Sequence, residues 1–174
     1  MMLRPFTPEE FDPLWAAVAG ADPTVAVGAM DPELLRSRVE TSGRLTDREL
    51  LLAIEAEDRL VGSIQGYRAG LPDGVFSLGV ELFDEGDRGK GYGTAAVKTI
   101  AARLFEEAGA RRLEAGTARD NAAMRRVLER VGFQQEGILR RWYPSDDGVG
   151  IDCVMYGMTR DDYEDVKTRW ILTS

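Results

Sequence analysis

The segment from residue 75 to residue 108 constrains the fold of this 174-residue chain most strongly. An apolar run at 75–83 predicts a strand, and a polar loop follows it. Glycines occupy positions 89, 91 and 93 of that loop, and apolar residues then recur at helical spacing over 92–108. Because glycines allow successive backbone N–H groups to point into one concavity, this strand, loop and helix N-terminus predict an anion-binding cradle.

The rest of the chain alternates between strand and helix patterns, which predicts an α/β fold built around one sheet. Predicted strands lie at 2–4, 49–57, 60–68, 75–83, 111–117, 133–143 and 150–158, and predicted helices begin near residues 7, 31, 92, 121 and 159. Asp58-Arg59 is the predicted turn between the second and third strands. No repeat or linker divides the chain, so we expect residues 1–174 to form a single domain.

The amino-acid composition excludes several kinds of active site. The chain has no histidine and one cysteine, Cys153, so Ser-His-Asp and Cys-His nucleophile systems are ruled out. Histidine-containing zinc sites, cysteine-rich metal sites and intramolecular disulfides are ruled out as well, and we expect no metal. Cys153 is typical of a small buried apolar residue in a reducing compartment.

The N-terminal residues lack the apolar stretch of a signal peptide, and no apolar run is long enough to span a membrane. We therefore expect a cytoplasmic protein with no membrane partner. The net charge of −8 disfavours nucleic acid as a partner as well.

The charge is unevenly distributed along the chain. Residues 1–87 carry a net charge of −10, whereas residues 88–141 carry +6. This is either ordinary surface charge or a division in which the middle of the chain meets an anion and the first half meets a cation or nothing charged.

The glycine loop does not match the two phosphate-binding patterns of nucleotide-binding folds. In the P-loop pattern a Gly-Lys pair precedes serine or threonine, but here Gly89-Lys90 precedes Gly91. The dinucleotide pattern G-x-G-x-x-G fails at Thr94. A tight turn whose glycines merely start a helix is the alternative to an anion site.

The loop sequence Arg88-Gly-Lys-Gly-Tyr-Gly93 matches every constrained position of Arg/Gln-x-x-Gly-x-Gly/Ala, the pyrophosphate motif of the GNAT acyl-CoA N-acyltransferases. Downstream, the segment from Asn121 to Gly132-Phe133 matches a helix-then-strand segment of that family, and Asp152 with Tyr156 fit its later D-x-x-x-Y pattern. The chain therefore resembles the GNAT family. Residues 112–137 look like the branch that acetylates the N-terminal amines of ribosomal proteins.

The resemblance implies a mixed, mostly antiparallel sheet that splays open between two parallel strands, with helices on both faces. It implies acetyl-CoA as the co-substrate, whose pantetheine arm enters the opening and pairs with the backbone near residues 81–83. The implied CoA-binding residues are Leu82, Phe83, Arg88, Gly89, Lys90, Gly91, Tyr92, Gly93, Thr94 and Asn121. The implied reaction is direct attack of a neutral amine on the thioester, which needs neither histidine nor cysteine.

The catalytic residues of the family are only partly matched. Many members carry a tyrosine where this chain has Leu128, and the N-terminal-amine branch often carries a serine where it has Met124. Neither side chain can donate a proton. Glu81, in the apolar run before the loop, is the best candidate for the general base, and Glu114 on the neighbouring predicted strand is the second. A carboxylate at 81 that simply faces solvent across an alternating strand is the alternative.

The resemblance implies a primary-amine acceptor, either a small molecule or a peptide, bound between the early helices, at about residues 15–35, and the late hairpin, at about residues 140–152. Acidic residues in those regions, which would attract a cationic amine, are Asp22, Asp31, Asp146 and Asp147. The Asp146-Asp147 pair is also typical of a solvated turn. Trp142 and Tyr143 either line the acceptor site or belong to the core, and the core is the more common place for such aromatic residues.

Two alternatives to an acetyltransferase remain. A GNAT fold could hold CoA as a sensor or partner surface without transferring anything, because Leu128 and Met124 replace the usual proton donors. A regulatory domain could instead use the cradle for ATP or GTP. The resemblance also allows a homodimer through exposed strand or helix edges.

Overall fold

The computed structural model describes residues 1–20, 31–68 and 70–172. Its strands are β1 (Met2–Arg4), β2 (Glu49–Ala56), β3 (Arg59–Tyr67), β4 (Val75–Leu82), β5 (Arg112–Ala118), β6 (Gln134–Tyr143) and β7 (Ile151–Thr159). Its α-helices are α1 (Phe11–Gly20), α2 (Pro32–Thr41), α3 (Tyr92–Glu106), α4 (Ala122–Val131) and α5 (Arg160–Leu172). No helix within these ranges combines the length with the apolar character that a membrane span requires.

The strands form one seven-stranded sheet in the order β1-β2-β3-β4-β5-β7-β6. Neighbouring strands are antiparallel except for β4 and β5, which run parallel. The parallel pairing stops at Ser77 of β4 and Glu114 of β5, although β4 continues to Leu82 and β5 to Ala118. The strands therefore separate beyond this point and leave an opening, called the gap below. The expected splayed sheet is confirmed.

Helices cover both faces of the sheet, as expected. On one face, Phe76 of β4 packs with Ile100 of α3 in the larger cluster of buried side chains, to which α4 and α5 also contribute. On the other face, Leu51 of β2 packs with Leu14 of α1 and Leu35 of α2. We call this second face the α1/α2 face. Because side chains alternate along a strand, the odd-numbered residues of β4 lie on the α1/α2 face.

Two helix starts and one helix end follow their sequence signals. Asp31 Oδ1 accepts a hydrogen bond from the N–H of Glu33 (2.9 Å) at the start of α2. Asp162 accepts one from the N–H of Thr159 (2.8 Å) at the start of α5. Gly132, at φ 110°, ends α4. The predicted starts near residues 31 and 159 are therefore confirmed.

The turn between β2 and β3 lies at Glu57-Asp58, so the predicted turn at Asp58-Arg59 is wrong. Glu57 and Asp58 have positive φ angles of 53° and 56°, and Arg59 already belongs to β3. Two successive positive φ angles give the backbone twist that a two-residue hairpin requires.

Helix α3 ends at Glu106, two residues before its predicted end. Gly109, at φ 65°, turns the chain there, and the N–H of Ala110 bonds to the carbonyl of Leu104 (2.9 Å). Asp22, one of the residues predicted to attract the acceptor, lies outside the described residues.

Candidate active site

The loop between β4 and α3 forms a concave surface of backbone groups. Asp84 accepts a hydrogen bond from the N–H of Gly86 (2.7 Å) at its start. Gly89 (φ 79°) and Gly91 (φ 89°) then take left-handed conformations, and Gly91 occupies the N-cap position of α3. Because a glycine cap carries no side-chain oxygen, the N–H groups of the first helical turn are left for an external acceptor.

The same loop has room for an anion. A Cβ atom placed on Gly89, Gly91 or Gly93 would meet no atom within 4 Å. Open space above uncapped N–H groups, at the positive end of a helix dipole, is the arrangement that phosphate groups use. The residues present therefore fit a pyrophosphate group, and a branched side chain at position 93 would fill the space.

A buried carboxylate fixes this loop to the tip of the β2–β3 hairpin. Asp87, only 1% exposed, accepts hydrogen bonds from Arg59 Nη1 (2.8 Å), Arg59 Nη2 (2.5 Å) and Lys90 Nζ (3.0 Å). The Arg59 guanidinium, followed by Lys90, lowers the pKa of Asp87 to about 2. Tyr92 adds a second link, because its hydroxyl donates to Glu57 Oε1 (2.8 Å). We call these contacts the hairpin bracket.

The hairpin bracket has no local sequence signal, since Arg59 and Asp87 are 28 positions apart. It also changes the interpretation of the cationic residues of the loop. Lys90, one of the implied CoA-binding residues, is paired with Asp87, and Arg88 Nη1 lies 3.1 Å from Glu85 Oε1. Both cations are more than 40% exposed, so water competes with these pairs and either cation can turn towards an anion.

Glu81 and Glu114 lie at opposite ends of the gap, both on the α1/α2 face. Glu114 is the last residue of β5 that pairs with β4, and Ser77 is its partner. Glu81 lies four residues beyond Ser77 on β4, which is about 13 Å along the strand. The two carboxylates border one gap but are too far apart to act on the same atom.

Glu81 has the environment of a tuned carboxylate. Its side chain is half-buried, and burial raises the pKa of Glu81 above the ordinary value of 4.5, while the charge of Arg88 lowers it. A carboxylate with a raised pKa is suited to proton transfer near neutral pH. Glu114 is also half-buried, and its Oε2 lies 3.9 Å from Arg112 Nε.

The backbone of β4 borders the gap at Leu82. The N–H of Phe83 donates to the carbonyl of Val61 (3.0 Å), on the β3 side. Because backbone groups alternate in direction along a strand, the N–H and C=O of Leu82 point away from β3 and into the gap. Leu82 therefore presents its backbone where a pantetheine arm is expected, whereas the N–H of Phe83 is committed to β3.

The fold of this chain recurs in known proteins. The family model of the acetyltransferase (GNAT) domain matches residues 1–134. The chain belongs to the GNAT acetyltransferase family. Among its curated relatives, the SPbeta prophage-derived uncharacterized N-acetyltransferase YokL of Bacillus subtilis (strain 168) is 27% identical over 118 residues. That alignment covers 68% of this GNAT chain and 66% of YokL, slightly less than two thirds of the relative.

Solved structures share the GNAT fold with this chain. Mycobacterium smegmatis RimJ in complex with CoA-disulfide has a TM-score of 0.74 at 22% identity, over 92% of this chain and 82% of that chain. Aminoglycoside acetyltransferase AAC(6′)-Ib in complex with coenzyme A has a TM-score of 0.70 at 19% identity, over 95% of this chain and 98% of that chain. The fold expected from the motifs is therefore confirmed.

In this GNAT chain, the position of the usual tyrosine belongs to the core. Leu128 is fully buried, and Met124 is partly buried against the same cluster. Asn121 caps α4, since its Oδ1 accepts a hydrogen bond from the N–H of Met124 (3.0 Å). The contact of Asn121 with CoA stays a prediction.

The residues of the D-x-x-x-Y pattern have structural partners in this GNAT chain. Tyr156 is buried, and its hydroxyl donates to Glu129 Oε1 (2.8 Å) and accepts from Arg125 Nε (3.2 Å). Asp152 Oδ1 accepts from the N–H of Arg141 (3.0 Å), which holds an irregular part of β6. The pattern therefore marks contacts within the late hairpin and between this hairpin and α4.

The structure of the late hairpin agrees with some predictions about its residues and contradicts others. Trp142 is 62% exposed, so the core alternative is wrong for this residue, and Cys153 is buried, as predicted. Asp147 Oδ1 accepts from Ser145 Oγ (2.5 Å) and from the N–H of Val149 (3.0 Å) in an exposed turn. Within the described ranges, no three His, Cys, Asp or Glu side chains are grouped so as to hold a metal ion.

Proposed function

We propose that this chain is an N-acetyltransferase that moves an acetyl group from acetyl-CoA to a primary amine by direct attack. One observation carries the proposal: an uncapped, glycine-lined helix N-terminus adjoins an open gap between parallel strands. The family match and the relative named as an N-acetyltransferase support it. Acetyl-CoA supplies an activated thioester, so the chain needs no nucleophile of its own.

In this proposal, the N–H groups of residues 89–94 and the side chain of Arg88 bind the pyrophosphate, because the N–H of Arg88 already donates to the carbonyl of Glu85 (3.0 Å). The positive charge of residues 88–141 assists them. The backbone of Leu82 orients the pantetheine arm in the gap, and Asn121 contacts it from the start of α4. Glu81 accepts the proton that the attacking amine loses, and Glu114 is the second candidate for this role.

The proposed acceptor is a cationic primary amine of a small molecule or a peptide. The net charge of −10 in residues 1–87 supports this choice, because it attracts cations. The resemblance of residues 112–137 to the branch that acetylates the N-terminal amines of ribosomal proteins favours peptides with a free N-terminus. The likeness to an aminoglycoside acetyltransferase adds aminoglycosides to the amines worth testing. The cytoplasm is the proposed compartment, because Cys153 is unpaired.

We also propose that residues 1–174 form one domain and that two copies associate. The position of β7 between β5 and β6 supports the single domain. Although β7 lies beyond the matched residues 1–134, it belongs to the same sheet as the matched strands.

The edge strand β6 supports the dimer, because it exposes Ile138 and Trp142. Antiparallel pairing with a second β6 centred on Ile138 would bring Glu136 of one copy near Arg140 of the other. A wild-type monomer in sedimentation equilibrium, or a dimer unaffected by Trp142→Arg, would refute this interface.

Matched glycine variants test the cradle. Gly93→Val fills the open space beside the loop. Gly137→Val is the control, because it adds the same side chain at an open position on β6, away from the loop. Calorimetry is expected to show acetyl-CoA binding to wild type and to Gly137→Val. Binding to Gly93→Val should weaken by about tenfold or more for each charge-assisted hydrogen bond that is lost.

Release of free thiol with a panel of primary amines measures turnover. Turnover with an amine supports the enzyme. Binding of acetyl-CoA without turnover across the whole panel favours the CoA-binding module, and tighter binding of ATP or GTP than of CoA favours the regulatory domain. Unchanged binding by Gly93→Val refutes the cradle.

A further inference from the structure

Tyr143, the last residue of β6, reaches the α1/α2 face of the sheet beside the gap. Its hydroxyl lies 3.5 Å from Cys153 Sγ and 3.5 Å from the position that a Cβ atom on Gly116 would occupy. Gly116 is on β5, two residues beyond Glu114, where the pairing with β4 has ended. The phenol group therefore lies over the part of β5 that borders the gap.

An irregularity in β6 directs this side chain inward. The register of β6 against β7 shifts between Leu139 and Tyr143, and Arg141 has a positive φ of 54°. Bulges of this kind change the direction of side chains and are common next to active sites. Asp152 stabilises the bulge through its hydrogen bond from the N–H of Arg141. As a result Trp142 is exposed, whereas Tyr143 is half-buried.

The Tyr143 hydroxyl keeps its hydrogen through the neutral pH range. Burial, and then the hydrogen bond with Cys153, raise the pKa of Tyr143 above its usual value of 10. The contact with Cys153 Sγ is long (3.5 Å), and sulfur is a weak hydrogen-bonding partner, so the hydroxyl hydrogen can turn to a stronger acceptor. A neutral, half-buried hydroxyl is well suited to stabilise negative charge that develops beside it.

We propose that the Tyr143 hydroxyl donates a hydrogen bond to the thioester sulfur and stabilises the thiolate as it leaves. This inference rests on the proposed acetyl transfer. In that reaction the amine nitrogen bonds to the carbonyl carbon, and the C–S bond breaks with its electron pair going to sulfur. The proton of the nitrogen passes to Glu81, and the sulfur takes a proton from solvent after it departs. Tyr143 thereby supplies the stabilisation that Leu128 and Met124 cannot supply.

Comparison of CoA with desulfo-CoA, which lacks the sulfur atom, tests this contact without turnover. At about pH 9.5, where thiols are largely ionised, calorimetry is expected to show that wild type prefers CoA. Tyr143→Phe should lose that preference, a change of about tenfold for one hydrogen bond to a charged group. Tyr163→Phe, which removes a hydroxyl bonded to Glu106 on the opposite side of the sheet, is the matched control and should keep the preference.

Turnover gives an independent measurement. Tyr143→Phe should lower kcat by about 100-fold, as expected for loss of one donor to developing charge, without changing the KM for acetyl-CoA or the pH dependence set by Glu81. Equal affinities of wild type for CoA and desulfo-CoA, or a preference that survives in Tyr143→Phe, would overturn the inference. A wild-type protein that prefers CoA but acetylates no amine would contradict the proposed function instead.

Discussion

Replacement of Glu81 by glutamine is expected to raise the stability of the protein and to lower its activity at the same time. Glu81 is half-buried beside the gap, and burial holds the pKa of its carboxyl above 4.5. Glutamine has nearly the same shape without the charge. The substitution therefore isolates what the carboxylate contributes to each property.

The stability effect of Glu81→Gln follows from the direction of the pKa shift. Because the pKa of Glu81 is higher in the folded than in the unfolded state, its stabilising contribution is present below the unfolded pKa and is lost as pH rises through the folded pKa. At neutral pH the ionised wild type is then less stable than the variant. The difference is about 1.4 kcal/mol for each unit by which the pKa is raised, and it should approach zero near about pH 3.

The activity effect has the opposite sign. A general base acts in its ionised form, so the wild-type rate should rise with pH through a pKa above 4.5 and then reach a plateau. Glu81→Gln should lose this rise and react roughly 10²–10⁴ times more slowly at neutral pH, with partial recovery in more alkaline buffer.

Urea denaturation at two pH values and thiol release across the pH range measure the two effects. Glu107→Gln, at the exposed end of α3, removes a carboxylate remote from the gap and serves as the control. A Glu81→Gln variant with the wild-type pH–rate profile would refute the assignment of the base. A variant that is less stable than wild type at neutral pH would refute the argument from burial.

Two further predictions concern the hairpin bracket and the core. Arg59→Ala removes two of the three hydrogen bonds that cations donate to Asp87. Calorimetry should therefore show a higher Kd for CoA, while kcat at saturating acetyl-CoA stays unchanged. An unchanged Kd would mean that the hairpin bracket does not position the loop. Leu128→Tyr restores the usual tyrosine of the family in a fully buried position, and overpacking should lower the free energy of unfolding by about 1–3 kcal/mol without raising kcat. A gain in kcat would contradict the assignment of Leu128 to the core.

The parts of the site that could be predicted from the sequence have local signals. Gly89 and Gly91 adopt the positive φ angles that only glycine accepts readily, and the apolar spacing after them defines the buried face of α3. Asp31 and Thr159 start their helices for equally local reasons. The glycine loop, its position before a helix and the order of elements could therefore be predicted from the sequence.

The parts that could not be predicted depend on contacts between distant segments. Nothing in the spacing of β6 and β7 indicates that β7 lies between β5 and β6, and this order is what carries Tyr143 to Gly116. The bulge at Arg141 breaks the alternation of β6, so the sequence does not show that Trp142 is exposed while Tyr143 is half-buried. The exact position of the β2–β3 turn is also hidden, because Glu57-Asp58 lacks the glycine or asparagine that usually marks such a turn.

Because β7 comes late in the chain, the cradle and the gap should assemble at different stages of folding. All residues of the cradle and the hairpin bracket lie between the start of β2 and the end of α3, so they can come together through contacts within one stretch of chain. The side of the gap formed by β5 requires β7 to pair with β5 and to bring β6 with it. Pairing between segments so distant in the chain forms slowly. During folding, the protein should therefore acquire an anion-binding loop before it acquires a place where a reaction can occur.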